Sequence, residues 1–167
     1  MAKVIWFYGL SGSGKTTIAD LADEMLRAEG NTIMRLDADA LRAELWPEVD
    51  LTRHGRIVNV DRLTCLCRRL YDADITTIVS ASAPFEEQRV KALEMLPSIK
   101  FIKVDTPIDV CVQRKPRVYN NVWSVTQIDS YPAPYAVISG TLTRQSLEKN
   151  LHSILHDDSN ETNAILP

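Results

Sequence analysis

The chain has 167 residues, enough for one domain with a sizeable core, and at 45% hydrophobic and 25% charged it has the composition of an ordinary globular protein. A formal net charge of −3 argues against a general nucleic-acid or membrane-surface binder, and no apolar run approaches the length that spans a bilayer. Three cysteines without metal-type spacing fit reduced thiols in a cytoplasm, and the N-terminal apolar run ends in a glycine loop with no signal-peptide pattern.

In chain order, Val4 to Tyr8 reads as a short buried strand. It runs into GLSGSGKT, Gly9 to Thr16, which has the spacing G-x-x-x-x-G-K-T. From Thr17 the pattern turns helical, with Ile18, Leu21, Ala22, Met25 and Leu26 on one face and Gly30 where a helix-ending residue belongs. Strand, glycine loop and helix in that order are the context of a phosphate-binding P-loop. Thr32–Leu36 reads as a second strand, followed by a short helix with Leu41 and Leu45 inward, then a loop from Pro47 to Gly55. A longer helix is expected from about Arg56 to Tyr71, with Val60, Leu63, Cys67 and Leu70 as its buried stripe. Ile75–Ala81 is a β-branched third strand, and Pro84, Glu86 and Glu87 suit the first turn of the next helix. Ile99–Val104 is a fourth strand, and Pro107 opens a helix to about Gln113. Residues 114–134 show no periodicity and read as a lid. Tyr135–Ser139 is a fifth strand and Thr143–His156 the last helix, with a polar, frayed tail over 157–167. The expected architecture is therefore a single α/β domain over residues 1–156, with a parallel sheet of about five strands covered by helices on both faces.

The residues that carry chemistry follow from this layout. Backbone N–H groups of Gly9, Leu10, Ser11, Gly12, Ser13 and Gly14 and the following helix N-terminus suit a nucleotide's phosphates, with Thr17 in the same first turn. Lys15 is placed to reach the β- and γ-phosphates, and Thr16 to hold Mg²⁺ through its hydroxyl. Asp37 and Asp39 fall at the carboxyl end of the second strand, where parallel sheets bind ligands. Either carboxylate can hold Mg²⁺ or accept a proton from an attacking hydroxyl, and one of them can instead cap the next helix. Arg56 and Asn59 continue the buried stripe of the long helix, so they face either protein partners or a substrate cleft. Arg114 and Arg117 open the lid, where arginines can close on a transferring phosphoryl group or remain solvated. The histidines, His54, His152 and His156, show no ligand spacing. No guanine-selecting N-K-x-D segment is present, which favours ATP as the nucleotide.

Five segments, GLSGSGKTT, LDADALR, GRIVNVDRL, APFEEQR and TPIDVCVQR, resemble in that order the motifs of the adenylylsulfate kinase family, over residues 3–140. The resemblance implies a P-loop kinase fold with a lid, using ATP and Mg²⁺ to phosphorylate a ribose hydroxyl of a nucleotide. It matches Asp39 to the acid beside the reacting hydroxyl and Arg42, Arg56 and Asn59 to substrate-binding positions, with Arg117 in place of a lid lysine; Asp37 and Ser82 are also expected on the substrate side and Arg114 on the nucleotide side. Leu51 and Val125 stand where the family has phenylalanines that clamp adenine, and Ala83 replaces a serine. The lid looks closer to relatives that act on other nucleotides, such as cytidine diphosphoramidate.

The expected activity is therefore transfer of the γ-phosphoryl of ATP to a small nucleotide-like acceptor, by a cytoplasmic enzyme that needs no nucleic acid or membrane. Homodimerisation stays open. Two other classes also stay open: a polynucleotide-end kinase, which wants a basic channel, and a nucleotide-dependent switch module, which wants a guanine-selecting motif.

Overall fold

The computed structural model describes residues 2–157, so the tail expected beyond Asp157 lies outside the described residues. Five strands, β1 (Val4–Tyr8), β2 (Ile33–Asp37), β3 (Thr76–Ser80), β4 (Ile99–Asp105) and β5 (Ala136–Ser139), form one parallel sheet in the order β2-β3-β1-β4-β5. Seven helices complete the described chain: α1 (Lys15–Ala28), α2 (Ala38–Leu45), α3 (Arg53–Asp72), α4 (Glu86–Met95), α5 (Ile108–Arg114), α6 (Pro116–Tyr119) and α7 (Arg144–His156).

β1 is buried along its whole length, as the central strand of a doubly covered sheet must be. Its side chains alternate between two cores. Ile5 and Phe7 pack with Ile18, Leu21 and Leu26 of α1 and with Leu151 and Ile154 of α7. Val4, Trp6 and Tyr8 pack with Val60, Leu63 and Cys67 of α3 and Ala92 of α4. The carboxyl ends of three strands are level, since Ser80 pairs with Phe7 on one side and with Asp37 on the other. Everything that follows β1, β2 and β3 is thereby delivered to one edge of the sheet.

The elements differ from the sequence expectation where tertiary contacts overrule local signals. Gly55 lies inside α3, because a Cβ there would come within 2.4 Å of the Asp50 carbonyl oxygen as the preceding loop folds back. The helix starts earlier, at Arg53, with the Thr52 hydroxyl capping the Gly55 N–H at 3.1 Å. Pro84 stays outside α4, whose N-cap is Phe85, and the Gln88 side chain accepts from the Phe85 N–H. The expected lid is not devoid of structure, since Arg114 ends α5 and residues 116–119 form α6. Among the described residues no helix is long and apolar enough to cross a membrane.

Candidate active site

The loop after β1 is built by backbone geometry that side chains resist. Gly12 has φ 81°, and a Cβ there would meet the Cys111 carbonyl oxygen at 2.9 Å. Gly14, at φ 101°, is the N-cap of α1, and no side chain caps that helix. The N-terminus of α1 therefore points into a cleft of about 450 Å³ with its dipole uncompensated by any acidic residue in the first turn. Ser11, Gly12, Gly14, Lys15, Thr16 and Thr17 line this cleft. Gly9, Leu10 and Ser13 shape the loop from behind: a Cβ on Gly9 would strike the Val104 carbonyl, and Leu10 accepts from Lys15. Ser13 is fully buried, and its carbonyl accepts from the Thr106 hydroxyl.

Cations converge on the cleft. Lys15 Nζ donates to the Leu10 carbonyl at 2.6 Å, and burial lowers its pKa to about 8 while the Asp39 carboxylate opposes the shift. Arg114 also lines the cleft and donates to the carbonyls of Gly12 and Gly140, and Lys115 stands beside it. Tyr119 of α6 donates its hydroxyl to the Ser11 carbonyl at 2.7 Å, which joins the lid to the loop.

The two aspartates part company. Asp37 is the N-cap of α2, accepting from the N–H groups of Asp39 and Ala40 through Oδ1. Its Oδ2 accepts from Thr16 at 3.2 Å and from Ser80 at 2.7 Å. Burial works against this carboxylate, but the Ser80 hydroxyl and the two backbone donors together hold its pKa below the ordinary range. Capping thus turns Asp37 towards the P-loop, and it does not line the second cleft where a substrate-binding role was expected. Asp39, two residues further, lines both clefts, as do Ala38, Ala81 and Ser82.

The second cleft is small, about 30 Å³, and adjoins the first across Asp39. Arg42, Leu51, Arg56 and Asn59 form its far wall. Burial pulls the Arg56 pKa down and Asp39 opposes it, which places Asp39 within electrostatic reach of cations on both sides. Arg56 donates from Nε to the Leu51 carbonyl and from Nη2 to the Trp123 carbonyl. The Asn59 side-chain oxygen accepts from the Trp46 indole at 2.7 Å, so its NH₂ is the group left for the cleft. Asn59 thus has a protein partner and also lines the second cleft. Ala83 completes the wall at φ 37°, with the buried Arg89 donating to its carbonyl.

Arg117 is the expected site residue that the structure does not bring in: it lies exposed on α6 and lines neither cleft. Ser80, Tyr119 and Arg89 were missed. Ser80 sits in the serine-rich end of β3 and Arg89 in the APFEEQR segment, but nothing local distinguishes them from surface polar residues.

The geometry is that of two adjoining clefts, one built for phosphates and one walled by arginines and an amide, with a carboxylate between them. The sequence profile described as adenylylsulphate kinase matches residues 1–136. The bifunctional enzyme NodQ of Rhizobium meliloti (strain 1021) is 39% identical over 119 residues, covering 70% of this chain and 19% of that protein, so the chain spans about a fifth of that relative's length. The adenylyl-sulfate kinase of Buchnera aphidicola subsp. Acyrthosiphon pisum (strain APS) is 30% identical over 166 residues, covering 92% of this chain and 81% of that enzyme. The APS kinase CysC of Mycobacterium tuberculosis, solved in complex with AMPPNP and APS, superposes with a TM-score of 0.82 at 24% identity, covering 92% of this chain and 95% of the other.

Proposed function

This chain belongs to the adenylylsulphate kinase family, and from that premise we propose that it transfers the γ-phosphoryl of ATP to a hydroxyl of a small anionic nucleotide, adenylyl sulfate or a close relative. The observation that carries the reading is Asp39, which lines the phosphate cleft and the arginine-walled cleft at once. A hydroxyl bound beside Asp39 attacks the γ-phosphorus in line. Its proton passes to the Asp39 carboxylate, the new O–P bond forms, and the bond to the bridging oxygen breaks to release ADP. Lys15 and Arg114 stabilise the charge that spreads over the phosphoryl oxygens. Arg42, Arg56 and the Asn59 NH₂ offer only donors, which suits the anionic part of the acceptor.

Thr16 and Asp37 fit Mg²⁺: they are hard oxygen donors 3.2 Å apart at the edge of the phosphate cleft. A bound Mg²⁺ would neutralise charge on the β- and γ-phosphates. No group of three or more His, Cys, Asp or Glu that could hold a metal occurs among the described residues, which agrees with an ion completed by phosphates and water. ATP as donor and three free cysteines favour a cytoplasmic setting.

An acceptor screen with γ-labelled ATP tests the proposal. Label is expected on adenylyl sulfate or on a cytidine diphosphate derivative, and the ratio of kcat/KM values names the preferred base. ATP turnover that no nucleotide acceptor stimulates would overturn the reading.

A further inference from the structure

Asp37 is gripped at both carboxylate oxygens. Oδ1 accepts from the N–H groups of Asp39 and Ala40, and Oδ2 from Ser80 at 2.7 Å and Thr16 at 3.2 Å. A carboxylate offers about four lone-pair sites, so protein donors occupy all of them. At Oδ2 the Thr16 bond is the longer one, and Thr16 lines the phosphate cleft. It is the bond that a cation can replace, while the short Ser80 bond stays.

What fixes Ser80 is Arg35. Alternation puts Arg35 and Asp37 on one face of β2, and the strand register sets Asp37 beside Ser80 of β3. Nη2 of Arg35 donates to the Ser80 hydroxyl oxygen at 2.9 Å. A guanidinium can only donate, and a serine hydroxyl carries a single proton. The Ser80 proton is therefore directed at Asp37 Oδ2, and the chain from Arg35 through Ser80 to Asp37 runs in one sense. Ser80 is 3% exposed, so water does not compete for that proton. The guanidinium is itself held. Its Nη1 donates to the carbonyls of Leu36 and Ile78, and its Nε to Asp20 of α1 at 3.1 Å. The Arg35 side chain is only 17% exposed although β2 is an edge strand, a burial that its matched donors make tolerable.

We infer that Arg35 is a positioning residue for the metal-bound nucleotide, acting through Ser80 to aim the Asp37 carboxylate at the place where Thr16 meets the cation. This rests on the assignment of Thr16 and Asp37 to Mg²⁺ in the proposed function. Arg35 lines neither cleft, so it touches neither nucleotide nor acceptor and works only through what Asp37 does.

Calorimetric titration with the non-hydrolysable ATP analogue adenylyl imidodiphosphate, with and without Mn²⁺, tests this without turnover. The readout is the factor by which the metal tightens binding, and the metal-free affinity reports whether the fold and the P-loop are intact. Arg35→Met and Ser80→Ala are each expected to cut that factor roughly tenfold while the metal-free affinity holds. The double variant is expected to lose no more than either single one, because both substitutions break the same chain. Asp20→Asn removes the α1 ion pair and leaves the factor unchanged. An unchanged factor in Arg35→Met, or losses that multiply in the double variant, overturns the relay. An equal loss in Asp20→Asn overturns it too, since Arg35 then acts through α1. A wild-type protein that binds the analogue no more tightly with metal overturns the assignment of Thr16 and Asp37, and this inference with it.

Discussion

At the scale of single residues, two aspartates two residues apart are separated by what each one touches. Asp37 is occupied by the α2 cap and by Thr16 and Ser80, while Asp39 faces both clefts. Asp39→Asn keeps the shape and removes the base, so kcat is expected to fall by roughly 10²–10⁴-fold with the KM for ATP little changed. Asp37→Asn should instead raise the Mg²⁺ concentration needed for half-maximal rate, which a metal titration of both variants distinguishes. Lys15→Ala removes the cation at the transferring phosphate and is expected to lower single-turnover rates by roughly 10²–10³-fold. Retention of near-normal rates would contradict the P-loop assignment. The thiols divide as clearly. Burial pushes Cys67 up to about 12, and Cys111 is also buried, whereas Cys65 is exposed. Titration of the native protein with a thiol reagent should find one reactive cysteine of the three, and all three after denaturation. Prompt reaction of a second thiol in the native protein would contradict the packing of α3 or α5.

At the scale of elements, the long helix α3 links core to site. Its lower stripe, Val60, Leu63 and Cys67, packs under the sheet, and its first turns carry Arg56 and Asn59 to the cleft. Leu63 is fully buried, and Leu63→Ala is expected to cost about 2–5 kcal/mol in chemical denaturation. Thr52→Ala removes the cap and should cost about 1 kcal/mol, with a larger effect on the acceptor KM than on the KM for ATP, because the cap fixes the end of α3 that holds Arg56. The P-loop was legible in the sequence because its spacing and its flanking strand and helix are local features. The cleft face of α3 was legible for a similar reason: Arg56 and Asn59 lie in line with apolar residues, and that needs a partner. What stayed hidden was set by distant contacts. Gly55 reads as a helix breaker until the Asp50 backbone is seen against it. The roles of Asp37 and Asp39 depend on which one caps α2, and either spacing allows it. The lid shows no periodicity because backbone carbonyls hold it, with Tyr119, Arg56 and Arg89 bonded to Ser11, Trp123 and Tyr131 across long sequence separations.

At the scale of the whole molecule, the sheet order brings the ends of β1, β2 and β3 to one edge and divides the ligand space in two. The α1 side supplies the phosphate cleft, the α3 side supplies the arginine wall, and the lid spans both. Its Tyr119 hydroxyl is bonded to the P-loop at Ser11, and its Trp123 carbonyl to Arg56 of the second cleft. On the proposed function, such a layout assigns each cation to one substrate. The most direct test is steady-state kinetics of Arg56→Met and Arg114→Met with ATP and the best acceptor from the screen. Loss of a charge-assisted hydrogen bond is worth roughly 1.5–3 kcal/mol. Arg56→Met is therefore expected to raise the acceptor KM by roughly tenfold or more with little change for ATP, and Arg114→Met to do the reverse. Equal effects of both substitutions on both substrates would contradict the division into two clefts.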